Sequence, residues 1–127
     1  MPTVLIIDRD ADILLAAFAL LHDAGYGVAT AGTPLGAVAA ADMMQPDLVF
    51  LGARIAVWAN SLIVDHPPPG VSRPCIVLTG DGARFNWQPL GADGFLDRPV
   101  TAERMLAVAE RLQQLAAARR DRQERSA

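Results

Sequence analysis

The sequence predicts an α/β fold with a parallel sheet in a single domain, and three observations lead there. Short apolar runs alternate with longer segments of helical period, which is the pattern of successive β–α units. Several runs are continuously apolar, as in strands that are covered on both faces. The 127 residues suit one domain, and 52% hydrophobic residues can build a full core. We expect a domain over residues 1–118 and a polar, fraying tail over residues 119–127.

The first strand is predicted at Val4–Ile7, a continuous apolar run that ends in Asp8. Asp10–Asp23 repeats apolar residues at helical spacing, which predicts the first helix. Gly25 is well placed to end that helix, because glycine is favoured just beyond a helix C-terminus. The second strand is predicted at Tyr26–Ala31.

The second helix begins with a clear sequence signal. Thr33 is a favourable N-cap residue, and Pro34 suits the first helical position. This helix is predicted to run to about Met44. A third strand follows at Asp47–Leu51, and a third helix is predicted over Arg54–Asp65.

The second half of the chain continues the alternation. Cys75–Thr79 predicts a fourth strand and Gly94–Asp97 a short fifth strand, whereas residues 80–91 show little helical period. Thr101 is expected to cap a final helix that runs to roughly Ala118. With right-handed crossovers, these elements predict a flavodoxin-like doubly wound sandwich with strand order 2-1-3-4-5, helices on both faces and a shortened fourth helix.

The composition argues against several classes of function. A net charge of −3 does not favour nucleic-acid binding, and all eleven basic residues are arginine, as base composition alone can explain. The single cysteine, Cys75, excludes an internal disulfide and a cysteine-clustered metal site. His22 and His66 do not stand at metal-ligand spacing. Without a long apolar run or a leader-like start, the chain is expected to be cytoplasmic, with no membrane partner.

Six segments occur in an order and spacing that together are distinctive. They are Val4–Asp8, Asp10–Leu14, Gly25–Tyr26, Pro46–Leu51, Ile76–Thr79, and Gly91–Leu96 with Pro99. In this order they resemble the receiver domain of two-component response regulators over nearly the whole chain. The resemblance implies the doubly wound sandwich and a role in bacterial signal transduction.

The resemblance also implies a phosphorylation site, from which this sequence departs. In the family, an aspartate after the third strand accepts a phosphoryl group, and two adjacent acids after the first strand help it to hold Mg²⁺. Here Gly52 stands at the acceptor position and carries no side chain. Asp8 keeps the first acid, but Arg9 replaces the second. Thr79 is retained, and Arg98 stands at the position of the phosphate-contacting lysine.

The formal charge at these positions is about +1, which disfavours a hard divalent cation. We therefore expect no Mg²⁺, no other cofactor, no aspartyl phosphorylation and no enzymatic activity. The remaining site residues, here called the remnant pocket, are Asp8, Arg9, Thr79, Arg98 and Pro99. The resemblance further implies a cis bond before Pro99. It also places Phe95 at a switching-aromatic position, where the missing hydroxyl favours fixed packing.

Several side-chain roles stay open at this point. Asp10 and Asp12 are expected to cap and charge the start of the first helix. Arg9 can face solvent, pair with one of these two acids, or occupy the position of the metal ion with its guanidinium. Arg98 can pair with Asp8 or help the remnant pocket to bind an anion.

Two functional hypotheses follow. The favoured one is a degenerate receiver that acts by phosphorylation-independent contact with a signalling protein, either a histidine kinase or another regulator, or with a second copy of itself. We expect no effector domain within the chain, so its output requires a partner, and the exposed side of the last helix is one expected contact. The alternative is a sensor of an anion or small ligand. An electron carrier is disfavoured, because Asp8-Arg9-Asp10 stands where a phosphate-binding loop would lie.

Overall fold

The computed structural model describes residues 2–52, 74–80 and 93–126. The strands in these ranges are β1 (Thr3–Ile7), β2 (Gly27–Ala31), β3 (Leu48–Gly52), β4 (Cys75–Gly80) and β5 (Gly94–Asp97). The helices are α1 (Ala11–Asp23), α2 (Pro34–Met44) and α3 (Ala102–Ser126). The predicted helix at Arg54–Asp65 and the shortened fourth helix lie outside the described residues.

The five strands form one parallel sheet in the order β2-β1-β3-β4-β5. This confirms the predicted doubly wound order, with β1 at the centre of the change in winding direction. Ile7 lies opposite Ala31 on one side and Leu51 on the other, and Gly52 lies opposite Thr79. The carboxyl ends of the strands therefore meet at one edge of the sheet.

Alternate strand residues form two separate core layers. Val4, Ile6 and Phe50 are buried on the face that α1 and α3 cover. Leu5 and Ile7 are buried on the opposite face, where Ala37 of α2 packs. Because side chains alternate along a strand, the continuous apolar runs supply both layers at once. The described helices thus lie on both faces, as the sequence predicts.

Each described helix begins at a predicted capping side chain. The Asp10 carboxylate accepts hydrogen bonds from two N–H groups of the first turn of α1, at 2.9 and 3.4 Å. The Thr33 hydroxyl accepts one at 3.0 Å at the start of α2. The Thr101 hydroxyl accepts one at 3.2 Å at the start of α3. Such caps typically contribute about 1 kcal/mol each.

Two further aspartates join the amino ends of the strands. Asp47, at the end of the sheet opposite the carboxyl edge, accepts hydrogen bonds from the backbone N–H of Thr3 at 2.9 Å and from its hydroxyl at 3.3 Å. Asp93 accepts a hydrogen bond from the backbone N–H of Ile76 at 2.8 Å. These bonds hold β1 beside β3 and β4 beside β5 at the edge away from the candidate site.

The C-terminal helix corrects one prediction. We expected helix α3 to end near Ala118, but it continues to Ser126. This extension contains four arginines, a glutamine and a glutamate, which have high helix propensity, and it contains no glycine or proline. The helix is therefore about 37 Å long at 1.5 Å per residue. The division into a domain over residues 1–118 and a polar tail over residues 119–127 stays a prediction. Across the described ranges, every helix is too short or too polar to cross a bilayer.

Candidate functional site

The carboxyl edge of the sheet brings the predicted site residues together. Asp8 follows β1, Gly52 ends β3, and Thr79 lies near the end of β4. Gly52 and Thr79 are direct neighbours across the β3–β4 pairing. Thr79 is buried, with 3% of its surface exposed. This edge, beside the change in winding direction, is where ligands bind in open α/β sheets.

Gly52 is buried and closely approached by the end of β1. A Cβ atom at position 52 would lie 3.2 Å from the carbonyl oxygen of Ile7 and 3.5 Å from Oδ2 of Asp8. Glycine in a strand often marks such a close backbone approach. A side chain at position 52 would therefore crowd the β1 backbone and begin its path beside the Asp8 carboxylate.

Asp8 is half-buried, and its backbone already fixes its position. Its N–H donates to the carbonyl oxygen of Ala31 at 3.1 Å, which extends the β1–β2 pairing by one residue. Its Oδ1 accepts a hydrogen bond from the backbone N–H of Asp10 at 2.9 Å. The other oxygen, Oδ2, is the one that faces Gly52.

The described residues of this edge offer few of the oxygen ligands that Mg²⁺ needs in its nearly octahedral geometry. Asp8 presents one carboxylate, Gly52 presents none, and the neighbouring Asp10 carboxylate caps α1. In the described part of the chain, no group of three or more histidine, cysteine, aspartate or glutamate residues could hold a metal ion.

The two arginines of the remnant pocket are both exposed. The exposure of Arg9 agrees with the alternative in which it faces solvent. The backbone N–H of Arg98 donates to Oδ1 of Asp97 at 2.8 Å, at the point where β5 ends and the loop begins. The pairing of Arg98 with Asp8 stays a prediction.

The loop that carries Arg98 is held by a residue that the sequence reasoning missed. The peptide bond between Arg98 and Pro99 is cis, as the resemblance implied. Arg104, in the first turn of α3, reaches back and donates to the carbonyl oxygens of Asp97, at 2.7 Å, and of Pro99. An arginine in the first turn opposes the helix dipole, and this signal could have drawn attention to it.

Phe95, at the switching-aromatic position, lies on β5 and is 40% exposed. It is therefore not a core residue, although its strand neighbour Leu96 is buried. The prediction of fixed packing stays a prediction.

Comparisons with known proteins agree with this fold and motif order. No model of a known protein family matches the chain. Over 116 residues the chain is 29% identical to the nitrogen assimilation regulatory protein NtrX of Azorhizobium caulinodans, a match that covers 85% of this chain and 25% of NtrX. Over 110 residues it is 32% identical to the transcriptional regulatory protein KdpE of Mycobacterium tuberculosis, covering 84% of this chain and 49% of KdpE.

Solved structures give the same answer. NtrX from Brucella abortus, crystallised in complex with ATP, superposes with a TM-score of 0.78 at 25% identity, over 98% of this chain and 29% of that one. The chemotaxis response regulator CheY4 of Vibrio cholerae superposes with a TM-score of 0.70 at 22% identity, over 88% of this chain and 98% of that one.

The sheet order, the site at its carboxyl edge and these relatives define the class: the chain is a response-regulator receiver domain of the CheY-like type. In sequence it is similar to the regulators NtrX and KdpE in particular. The chain spans a quarter to a half of the length of these curated relatives.

Proposed function

We propose that this receiver domain acts without aspartyl phosphorylation, through direct contact with a signalling protein. The observation that carries the proposal is Gly52 at the acceptor position, where the backbone of β1 leaves little room for a side chain. Phosphoryl transfer to a receiver needs a carboxylate nucleophile at that place, and glycine has none.

The surrounding charges support the same proposal. Asp8 contributes one negative charge, and Arg9 and Arg98 contribute two positive charges. A phosphoryl group in transfer requires its divalent cation, and a site with net positive charge and one carboxylate binds such a cation poorly. We therefore infer that the domain has no phosphotransfer activity of its own and needs no Mg²⁺.

Contact with a protein is favoured over the alternative of an anion sensor. Both arginines are exposed, and the oxygen Oδ2 of Asp8 faces Gly52, where an anion would have to approach. A carboxylate there repels an anion, whereas an exposed arginine suits contact with an acidic protein surface. The partner classes that fit a receiver are a histidine kinase and another regulator, and we propose that the domain meets them in the cytoplasm.

The proposal is tested by adding beryllofluoride with Mg²⁺, which mimics an aspartyl phosphate, and recording amide NMR spectra. The spectrum of the native chain is expected to stay unchanged. The matched variant Arg9→Asp/Gly52→Asp restores the acid pair and the acceptor, and it should show Mg²⁺-dependent shifts around the site. A saturable, Mg²⁺-dependent shift in the native chain would overturn the proposal.

A further inference from the structure

The central part of helix α1 is apolar on all sides, although only one side faces the core. Its nine residues from Ile13 to Leu21 are all apolar. Ala17 and Leu21 are fully buried against the sheet, but Leu15 is 73% exposed and Phe18 is 40% exposed. A helix that is hydrophobic all round is normally buried all round. The outer face of α1 therefore has the composition of an interface.

Four exposed residues form a seam along this outer face: Asp12, Leu15, Ala19 and His22. Their spacing of i, i+3, i+7 and i+10 is the spacing along which two helices pack against each other. The seam has an acid at one end, a base at the other, and a large and a small apolar residue between them. The ring of His22 stacks on that of Phe18 beside the seam, with centroids 5.6 Å apart.

This seam is complementary to itself in the antiparallel direction. A two-fold axis at the level of Ala17 places Asp12 opposite His22 of the second copy, and Leu15 opposite Ala19 of the second copy. In an isologous contact each such pair forms twice. The carboxylate can accept a hydrogen bond from the imidazole, and a large side chain facing a small one lets the helices approach closely.

From this complementarity we propose that α1 is the contact between two copies of this chain, packed antiparallel about a two-fold axis. The same axis places both Phe18 rings on one side of the contact, where aromatic rings can pack against each other. The inference rests on the proposed role as an interaction module and names a partner for it. It does not depend on the state of the phosphorylation site.

The short length of α1 limits the area that the contact buries, and therefore the affinity of the dimer. Thirteen residues span about 20 Å. One helix of this length buries less than the roughly 800 Å² per partner of a standard stable interface. The dimer is therefore weak and forms progressively as concentration rises through the micromolar range.

The other exposed apolar side chains provide a contrast. Leu35 and Met43 on α2 are 82% and 88% exposed. Asp42 is the one charged residue of α2, so an antiparallel pair of these helices has no opposite charge to match it. This makes Leu35 a suitable control position for Leu15, because both are exposed leucines on helices.

The test is sedimentation equilibrium of the 127-residue chain from micromolar to near-millimolar concentration, with folding of each variant checked by circular dichroism. The native chain is expected to show a reversible monomer–dimer equilibrium. Leu15→Glu should stay monomeric throughout, whereas Leu35→Glu should dimerise like the native chain. Asp12→Arg and His22→Glu should each raise the dissociation constant of the dimer roughly twofold to fivefold for every pair lost. The double variant should return the dissociation constant toward the native value, because it restores opposite charges with the signs exchanged.

Several results would overturn the inference. A native chain that stays monomeric at the highest concentration shows that α1 is not a contact between two copies. A dimer that survives Leu15→Glu, or is lost in Leu35→Glu, places the contact elsewhere. A double variant as weak as the single variants excludes the antiparallel pairing. No phosphodonor is present in these measurements, so their failure is separate from any failure of the proposed function.

Discussion

Replacing Gly52 with aspartate would return the acceptor side chain of an ordinary receiver, yet the structure predicts that this change destabilises the fold. The new Cβ would lie 3.2 Å from the Ile7 carbonyl oxygen, tighter than most real Cβ contacts. Overpacking of this kind typically costs about 1–3 kcal/mol. The new carboxylate would also stand close to that of Asp8, because the Cβ is 3.5 Å from its Oδ2.

The repulsion between the two carboxylates can be bounded. Unit charges about 4 Å apart repel by about 1 kcal/mol in bulk water and about 4 kcal/mol at an effective dielectric constant of 20. Asp8 is half-buried, so the repulsion falls between these limits. Together with the steric part, Gly52→Asp should lower the free energy of unfolding by about 2–7 kcal/mol near neutral pH.

The variant Gly52→Asn separates the two contributions, because asparagine has the size of aspartate without its charge. Urea denaturation should show both variants destabilised at pH 7, with the aspartate variant the worse. The gap between them should close as the pH falls toward the ordinary aspartate pKa of about 3.9, since protonation removes the repulsion. If Gly52→Asp is as stable as the native chain, or matches Gly52→Asn at every pH, the reasoning is refuted.

Two further predictions concern the C-terminal helix and its contacts. Burial, and secondarily the charge of Glu110, raises the pKa of Tyr26 above its ordinary value of 10.0. Absorbance titration of this single tyrosine should therefore give a midpoint above 10.0. The variant Glu110→Gln should lower that midpoint only in part, because burial is the larger cause. Because the folded chain holds this proton more tightly, stability should fall as the pH rises from 10.0 through the folded-state pKa; Tyr26→Phe should lack that loss. Arg104→Ala should lower the free energy of unfolding by about 1–2 kcal/mol through loss of the bonds to two loop carbonyls, and an equally stable variant by urea denaturation would contradict that role.

The sequence predicted the architecture because the local signals agree with one another. Apolar runs marked the strands, and the capping residues Asp10, Thr33 and Thr101 marked the starts of the described helices. The predicted end of α3 was wrong, because the residues after Ala118 include several with high helix propensity and no glycine or proline. The role of Asp93 depends on a contact with a neighbouring strand, and that of Arg104 on how its side chain folds back over the loop before α3. The sequence holds no direct periodic signal for either contact.

The residues of the candidate site were predictable from the sequence, but the distances between them were not. Gly52, Arg9 and Arg98 were recognisable as departures because they stand at fixed places relative to strand ends. The close approach of the Ile7 carbonyl oxygen to Gly52 depends on how β1 pairs with β3, which no local pattern reports. The outer face of α1 could have been suspected from its composition, but its exposure is a property of the folded chain.

Intact-mass spectrometry after incubation with acetyl phosphate and Mg²⁺ tests the central claim most directly. A receiver that keeps its acceptor aspartate serves as the positive control and should gain the mass of one phosphoryl group. The account predicts that the native chain gains none, because Gly52 offers no nucleophile and the site residues do not fit Mg²⁺. A Mg²⁺-dependent gain of one phosphoryl group on an aspartate of the native chain would contradict it.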